Sequence, residues 1–217
     1  MNVSQIRTLF KNKFLNKEFC SPKGEQTIEI INACFEADEP SIFGKPNEDY
    51  IARELEWYLL QSLNIKDIPG VTPKIWENVA DDQGYINSNY GYLVFNDGNY
   101  SQYNNCLETL KKDPESRRAI IIYTRPNIQH EYNKNGRSDF ICTNTVQYLI
   151  RNKVLNTIVT MRSNDAIFGY ANDLAWQTYI RDKLSSDLSL DSEILKGKIY
   201  WNVGSLHLYE RHFRYVE

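Results

Sequence analysis

Within the stretch SDFICTNTVQYLIRNKVLNTIVTMRSNDAIFGYANDLAWQ, from Ser138 to Gln177, lie a cysteine, an arginine followed directly by a serine, and the aspartates Asp165 and Asp173. Cys142 is a candidate nucleophile, because the thiolate is the reactive form and a guanidinium beside it favours that form. A buried structural cysteine is the alternative reading. Arg117, Arg118 and Arg162 stand next to β-branched runs, Arg162 followed by Ser163. Guanidiniums at strand ends suit a phosphate dianion, whose oxygens their planar donors meet in pairs. Taken singly, each is equally a solvated surface charge. Glu54 lies in a largely apolar helical pattern with Trp57 and Tyr58. It is either a helix-surface glutamate or a buried carboxyl with a raised pKa, the tuning a general acid or base needs. His207 and Tyr209, two apart on a strand, share a face and suit a sugar hydroxyl. Trp76 can stack on a heterocycle or pack in a core.

The elements that must position these residues follow from the apolar pattern. Val146, Tyr148 and Ile150 alternate with Thr145, Gln147 and Leu149; Asn152-Lys153 is a turn, and Val154–Met161 is a second β-branched run. The pattern predicts an antiparallel hairpin with Cys142 before its first strand and Arg162 ending its second, side by side. Asn172 or Asp173 starts a helix with Ala175, Trp176, Tyr179 and Ile180 on its apolar face. Elsewhere helices are expected from Ser4, as cap, to about Phe19, from Asn47 to about Leu63, after Thr72-Pro73 with the proline in first helical position, and from Asn99 to about Lys112. Strands are expected at Thr27–Phe35, Ala119–Thr124 (buried) and Ile199–Tyr209. Asn87–Tyr92 and Arg125–Arg137 read as loops, and Ser185–Lys198 as polar and partly helical. The fold class expected is α/β of the α+β kind, a mixed β-sheet covered by helices, in a single domain over residues 1–217.

The chain has 217 residues, enough for a substantial core, and its 41% hydrophobic content is that of an ordinary soluble protein. No apolar run approaches a membrane span, and the first residues lack the apolar core of a signal peptide. A net charge of −3 gives no reason to expect direct nucleic-acid binding. The four cysteines, Cys20, Cys34, Cys106 and Cys142, have no paired metal or redox spacing, so reduced thiols in a cytoplasm and no metal site are expected.

In their order along the chain these residues resemble the thymidylate synthase superfamily, in its branch that hydroxymethylates deoxycytidylate, from about Thr27 to the C-terminus. Cys142 with Gln147, Arg162-Ser163-Asn164-Asp165 with Gly169, Glu54-Leu55-Glu56-Trp57, Ile75-Trp76, Asn89-Tyr90-Gly91, Ser116-Arg117-Arg118 and His207-Leu208-Tyr209 carry the resemblance. There are departures. Ile141-Cys142-Thr143 replaces Pro-Cys-His at the nucleophile, and Asp173 stands where thymidylate synthases have asparagine and the hydroxymethylases aspartate. The N-terminal phosphate arginine of the family is not evident, and Lys23 is the basic residue available in its place. The family's further C-terminal tail does not follow His207-Tyr209.

The resemblance implies a homodimer that binds deoxycytidylate (dCMP) and 5,10-methylenetetrahydrofolate and needs no metal. It implies Cys142 as the nucleophile at carbon 6 of the pyrimidine, Glu54 as the base for a water, and Asp173 as the group that reads the base. Arg117, Arg118, Arg162, Ser163, Gln147, Asn164 and Lys23 fall to the phosphate side, with Arg117 and Arg118 reaching the partner's phosphate. His207 and Tyr209 fall to the sugar, Tyr90 to the loop over the pyrimidine, and Trp76, Asp165 and Gly169 to the folate. The implied product is 5-hydroxymethyl-deoxycytidylate, made for phage DNA in the cytoplasm of an infected bacterium. A deoxyuridylate-using enzyme, a cytidylate hydroxymethylase and an inactive scaffold subunit are the alternatives. Asp173 stands against the first and the intact Cys142, Glu54 and Asp173 against the last.

Overall fold

The computed structural model describes residues 1–189 and 193–217, with Lys23 described by its backbone alone. The Lys23 side chain, expected at a phosphate, therefore lies outside the described residues, as does part of the Ser185–Lys198 segment. In chain order the elements are α1 (Val3–Leu15), β1 (Thr27–Glu36), α2 (Glu48–Leu60), α3 (Lys74–Val79), α4 (Tyr90–Phe95), α5 (Gln102–Lys112), β2 (Ile120–Ile122), α6 (Ile128–Glu131), β3 (Thr143–Arg151), β4 (Val154–Asp165), α7 (Gly169–Leu188) and β5 (Leu195–Tyr209). The strands form a five-stranded sheet in the order β1-β5-β4-β3-β2. β1 runs antiparallel to β5, β4 parallel to β5 and β2 antiparallel to β3, so the sheet is mixed, as expected. The chain divides into two compact units, one of Met1–Pro46 with Tyr148–Glu217 and one of Asn47–Gln147.

In the first unit the hairpin turn is the one expected: Asn152 and Lys153 have φ of 51° and 61°, the paired left-handed conformation of a tight two-residue hairpin. The sheet has a break in its pleat that no local pattern announces. Along β5 the buried residues are Trp201 and Val203, then Leu206 and Leu208; along β1 they are Phe35 and Ala33, then Ile30 and Ile28; along β4 they are Val159 and Met161, then Asn164. The buried set changes parity at Gly204, Asn32 and Arg162, on three neighbouring strands. A one-residue offset moves every later side chain to the opposite face, which is what a bulge does. Asn32 takes the strain with φ of 55°. Gly204 allows the strands to close up, since a Cβ there would lie 2.9 Å from the Arg162 carbonyl oxygen. Beyond the break, Ser163 registers with Ser205 and Asp165 with His207, so a row of polar side chains shares one face of an otherwise apolar sheet.

In the second unit α2 opens on Asn47, whose side chain accepts from the Tyr50 N–H, with Glu48 and Asp49 complementing the dipole of its first turn. It stops at Leu60, three residues early, because Gln61 turns left-handed. Its buried residues are Glu54, Trp57 and Tyr58, so Glu54 is a core carboxyl and not a surface one. The α4 backbone lies against α2 at Gly91, where a Cβ would fall 1.7 Å from the Tyr58 carbonyl oxygen.

Several elements differ from expectation for local reasons. Asn2, not Ser4, caps α1, in a reciprocal box with Gln5, and the helix ends at Leu15 instead of Phe19. Pro73 is the cap of α3 rather than its first helical residue. Asn87–Tyr92 is not an open loop: Asn89 is buried and caps α4, which begins at Tyr90. α5 starts at Gln102, after a tight turn at Asp97–Asn99. β2 was expected to be buried, yet Ile120 and Ile122 are 40% and 51% exposed and only Ile121 is covered, because the strand alternates between a covered and an open face. The Arg125–Arg137 loop contains α6, held by buried Ile128 and an Arg125–Glu131 ion pair. β4 continues past Met161 to Asp165, so Arg162 lies inside the strand and not at its end. α7 starts at Gly169, ahead of Asn172 and Asp173, because the Asp165 carboxylate accepts from the N–H groups of Phe168 and Gly169. β5 begins at Leu195 instead of Ile199.

Candidate active site

In the Asn47–Gln147 unit, Cys142 is the residue just before β3. Its neighbours Ile141 and Thr143 are fully buried, while Cys142 itself is half-buried, with Sγ 3.8 Å from the Phe140 carbonyl oxygen. Buried Asp139 anchors the approach to it. Its carboxylate accepts from the N–H groups of Asn87 and Ser88 and from the Ser88 hydroxyl, and Asn87 Nδ2 donates to the Asp139 carbonyl oxygen at 2.9 Å. Burial pushes the Asp139 carboxyl up, and those donors pull it back. Arg137 closes the network through Asp81, at 3.1 Å, and the Asn87 carboxamide. Cys106, by contrast, is sealed on α5, where burial pushes its thiol up to about 12, the state of an inert cysteine.

Glu54 is 6% exposed, and burial pushes its carboxyl up to about 7, against hydrogen bonds from Tyr50 and, less strongly, Trp76 that hold it down. The Tyr50 hydroxyl, one helical turn earlier on α2, bonds Glu54 Oε1. Tyr50 in turn accepts from Trp76 Nε1 at 2.8 Å. Trp76, expected against the folate, thus also serves the carboxylate, and its ring meets Trp57 edge-on at 5.1 Å. Tyr50 was not singled out from the sequence. Its spacing of four from Glu54 was the available signal.

Tyr90, expected near the pyrimidine, is 4% exposed. It stacks on Tyr58 at 5.5 Å, meets Tyr123 edge-on at 5.0 Å, and accepts from the Thr143 hydroxyl at 3.0 Å, so it supports the residue after the nucleophile from within an aromatic core. Arg117 and Arg118 are exposed, and Gln147 Nε2 donates to the Arg117 carbonyl oxygen at 2.9 Å, fixing the backbone of the arginine pair against β3.

In the other unit, Arg162 is exposed and Ser163 half-buried on β4. Asn164, expected on the phosphate side, is 3% exposed. Its Nδ2 donates to Asp173 Oδ2 at 2.7 Å, and its Oδ1 accepts from Trp201 Nε1 at 3.1 Å. The indole N–H can only donate, so it fixes which end of the carboxamide faces Asp173. Trp201 was missed from the sequence, since nothing local links it to Asn164. Asp165 spends Oδ2 on the start of α7, on the N–H of Phe168 at 2.8 Å and of Gly169 at 3.2 Å, while its Oδ1 is buried without a hydrogen-bond partner among the described residues. His207 and Tyr209 share one face of β5 with ring centroids 4.9 Å apart, and the His207 Nδ1 is 3.3 Å from the Ser205 carbonyl oxygen. Among the described residues, no group of histidine, cysteine, aspartate and glutamate could hold a metal ion, and no helix is long and apolar enough to cross a membrane.

Known proteins match this chain in sequence. Deoxycytidylate 5-hydroxymethyltransferases of Enterobacteria phages T4 and T2 are each 56% identical to it over 221 aligned positions, covering 100% of this chain and 90% of the relative. The thymidylate synthase of Fusobacterium nucleatum subsp. nucleatum is 29% identical over 164 positions, covering 74% of this chain and 56% of that protein. The sequence model of the family described as thymidylate synthase matches residues 45–217. The chain belongs to the thymidylate synthase family.

Proposed function

We propose that this chain transfers a one-carbon unit from 5,10-methylenetetrahydrofolate to carbon 5 of deoxycytidylate and hydrates it, giving 5-hydroxymethyl-deoxycytidylate. The observation that carries the reading is the carboxylate of Asp173, held by the Asn164 amide through Oδ2. Cytosine presents an exocyclic amine beside an unprotonated ring nitrogen. A carboxyl group accepts from the amine and shares a proton with the ring nitrogen, whereas a carboxamide suits uracil. The full-length likeness to phage deoxycytidylate 5-hydroxymethyltransferases supports the same substrate.

The roles follow from the chemistry of each side chain. The Cys142 thiolate adds to carbon 6, and the proton that Asp173 shares with the ring nitrogen stabilises the charge this pushes into the ring. Methylenetetrahydrofolate supplies carbon at the oxidation level of formaldehyde. Once the nucleotide carries that carbon as an exocyclic methylene, Glu54 takes a proton from a water as its oxygen bonds the methylene carbon. The double bond moves back into the ring, and Cys142 leaves as thiolate. A base with a carboxyl near 7 is poised for that transfer at neutral pH.

Arg162, Ser163 and Lys23, with Arg117 and Arg118 of a second copy, would hold the phosphate, and His207 and Tyr209 the sugar. Asp165, Trp76 and Gly169 would hold the pterin. The buried, unpartnered Asp165 Oδ1 fits this assignment, because pterin offers N–H donors and a buried acceptor needs one. A homodimer is supported by the open face of the sheet, where Ile158 registers with 39%-exposed Tyr200 and Ile31 is 77% exposed. The setting proposed is the cytoplasm of an infected bacterium. The test is base preference: Asp173→Asn should lower turnover of deoxycytidylate and raise relative use of deoxyuridylate.

A further inference from the structure

We propose that Tyr50 is the positioning residue of Glu54, a fixed hydrogen-bond donor that dictates through which oxygen Glu54 exchanges protons and at what pH it becomes a base. The inference rests on the reading of Glu54 as the base for water.

A phenol has one proton and can accept as well as donate. Trp76 Nε1 can only donate, and it occupies the acceptor side of the Tyr50 oxygen at 2.8 Å. The Tyr50 proton is thereby committed to Glu54 Oε1. The chain of donors runs one way, from Trp76 to Tyr50 to Glu54, and cannot reverse while Trp76 is in place. Glu54 Oε1 is then always an acceptor, and the proton Glu54 gains or loses must sit on Oε2. Tyr50 itself does not supply protons: burial and the adjacent carboxylate push its hydroxyl well above the ordinary tyrosine value. It acts by holding Glu54 in one rotamer and by favouring the carboxylate over the acid.

Burial raises the Glu54 carboxyl, and of the hydrogen bonds that oppose it the one from Tyr50 is larger than that from Trp76. α2 adds the Arg53 guanidinium, 5.7 Å from the Tyr50 ring and itself paired with Asp49. α3 adds the neutral Trp76 N–H. α4 adds Tyr90, whose hydroxyl is engaged by Thr143.

The experiment is a carboxyl titration by carbon-13 NMR with labelled glutamate, the Glu54 signal being assigned by its loss in Glu54→Gln, in parallel with the pH profile of kcat/KM. In Tyr50→Phe the Glu54 midpoint should rise by about one to two pH units, the worth of a hydrogen bond to a charged acceptor, and the acid limb of kcat/KM should rise with it. Trp76→Phe should raise the midpoint less, because Tyr50 remains but its proton is free to turn away. The double variant should raise the midpoint at least as far as Tyr50→Phe alone, since Trp76 also favours the Glu54 carboxylate directly. Trp76→Phe also serves as the reporter if Tyr50→Phe does not fold. An unchanged Glu54 midpoint in the folded variants would overturn the inference. A midpoint that moves in a protein forming no hydroxymethylated product would leave the relay standing and overturn the proposed function.

Discussion

Asn164 Nδ2 lies 2.7 Å from Asp173 Oδ2, and the indole of Trp201 prevents the carboxamide from turning over. Base selection in this reading is therefore set by a chain of three side chains, buried at Trp201 and Asn164 and half-buried at Asp173. Asn164→Ala removes one donor from Asp173 and the acceptor of Trp201 Nε1. It should cost roughly 1–3 kcal/mol in deoxycytidylate kcat/KM, about ten- to a hundredfold, with little change in secondary structure. Asp173→Asn should shift the ratio of kcat/KM for deoxycytidylate over deoxyuridylate by a similar factor. Steady-state kinetics with both nucleotides check it, and an unchanged ratio in Asp173→Asn would remove Asp173 as the reader of the base.

Burying Glu54 has a cost to stability that depends on pH. Its folded carboxyl lies at about 7, above the ordinary 4.5. Its contribution is fully present below the unfolded value and is lost as pH rises through about 7. Glu54→Gln keeps an acceptor for Tyr50 and carries no charge. The variant should be more stable than the wild type by roughly 3 kcal/mol at pH 8 and nearly equal to it at pH 4. Denaturant midpoints at the two pH values measure this, and equal gaps at both would mean that Glu54 ionises without hindrance.

Cys142 should be the thiol that reacts. Half-buried and next to a fixed backbone, it should be alkylated faster than Cys106, whose thiol is pushed up to about 12 by burial. Cys142→Ser should abolish turnover while nucleotide binding persists, as peptide mapping and calorimetry would show. Faster labelling of Cys106 would reverse the assignment.

If Arg117 and Arg118 complete a neighbouring copy's phosphate site, two dead proteins should rescue each other. Mixing Cys142→Ser with Arg118→Ala should restore about a quarter of wild-type activity at random exchange of subunits in a dimer. Sedimentation run alongside should show the dimer. A fully active monomer would contradict the shared site.

How much of this was legible in the sequence depended on range. The β3–β4 hairpin was readable because Val146, Tyr148 and Ile150 alternate around Asn152-Lys153, a signal confined to adjacent residues. Cys142, Glu54 and Asp173 stood out as candidates by type and order. The burial of Glu54 was left open, because spacing alone does not say what lies over a helix face. The Asp139–Ser88 and Trp201–Asn164 bonds join residues far apart in the chain, and no periodicity records them. β2 was misjudged for the same reason: Ile120, Ile121 and Ile122 read as buried, and nothing local shows that one face of the strand is left open. The start of α7 was misplaced because its N–H groups are met by Asp165, a side chain four residues ahead of Gly169, and not by a residue at the usual cap position.

The central claim is that the chain adds a hydroxymethyl group to deoxycytidylate. The most direct measurement is the mass of the nucleotide after incubation of the purified protein with deoxycytidylate and 5,10-methylenetetrahydrofolate. The account predicts a gain of CH2O on deoxycytidylate, with the oxygen drawn from labelled water and tetrahydrofolate as the co-product. A gain of CH2 alone with dihydrofolate released, or reaction confined to deoxyuridylate, would contradict it.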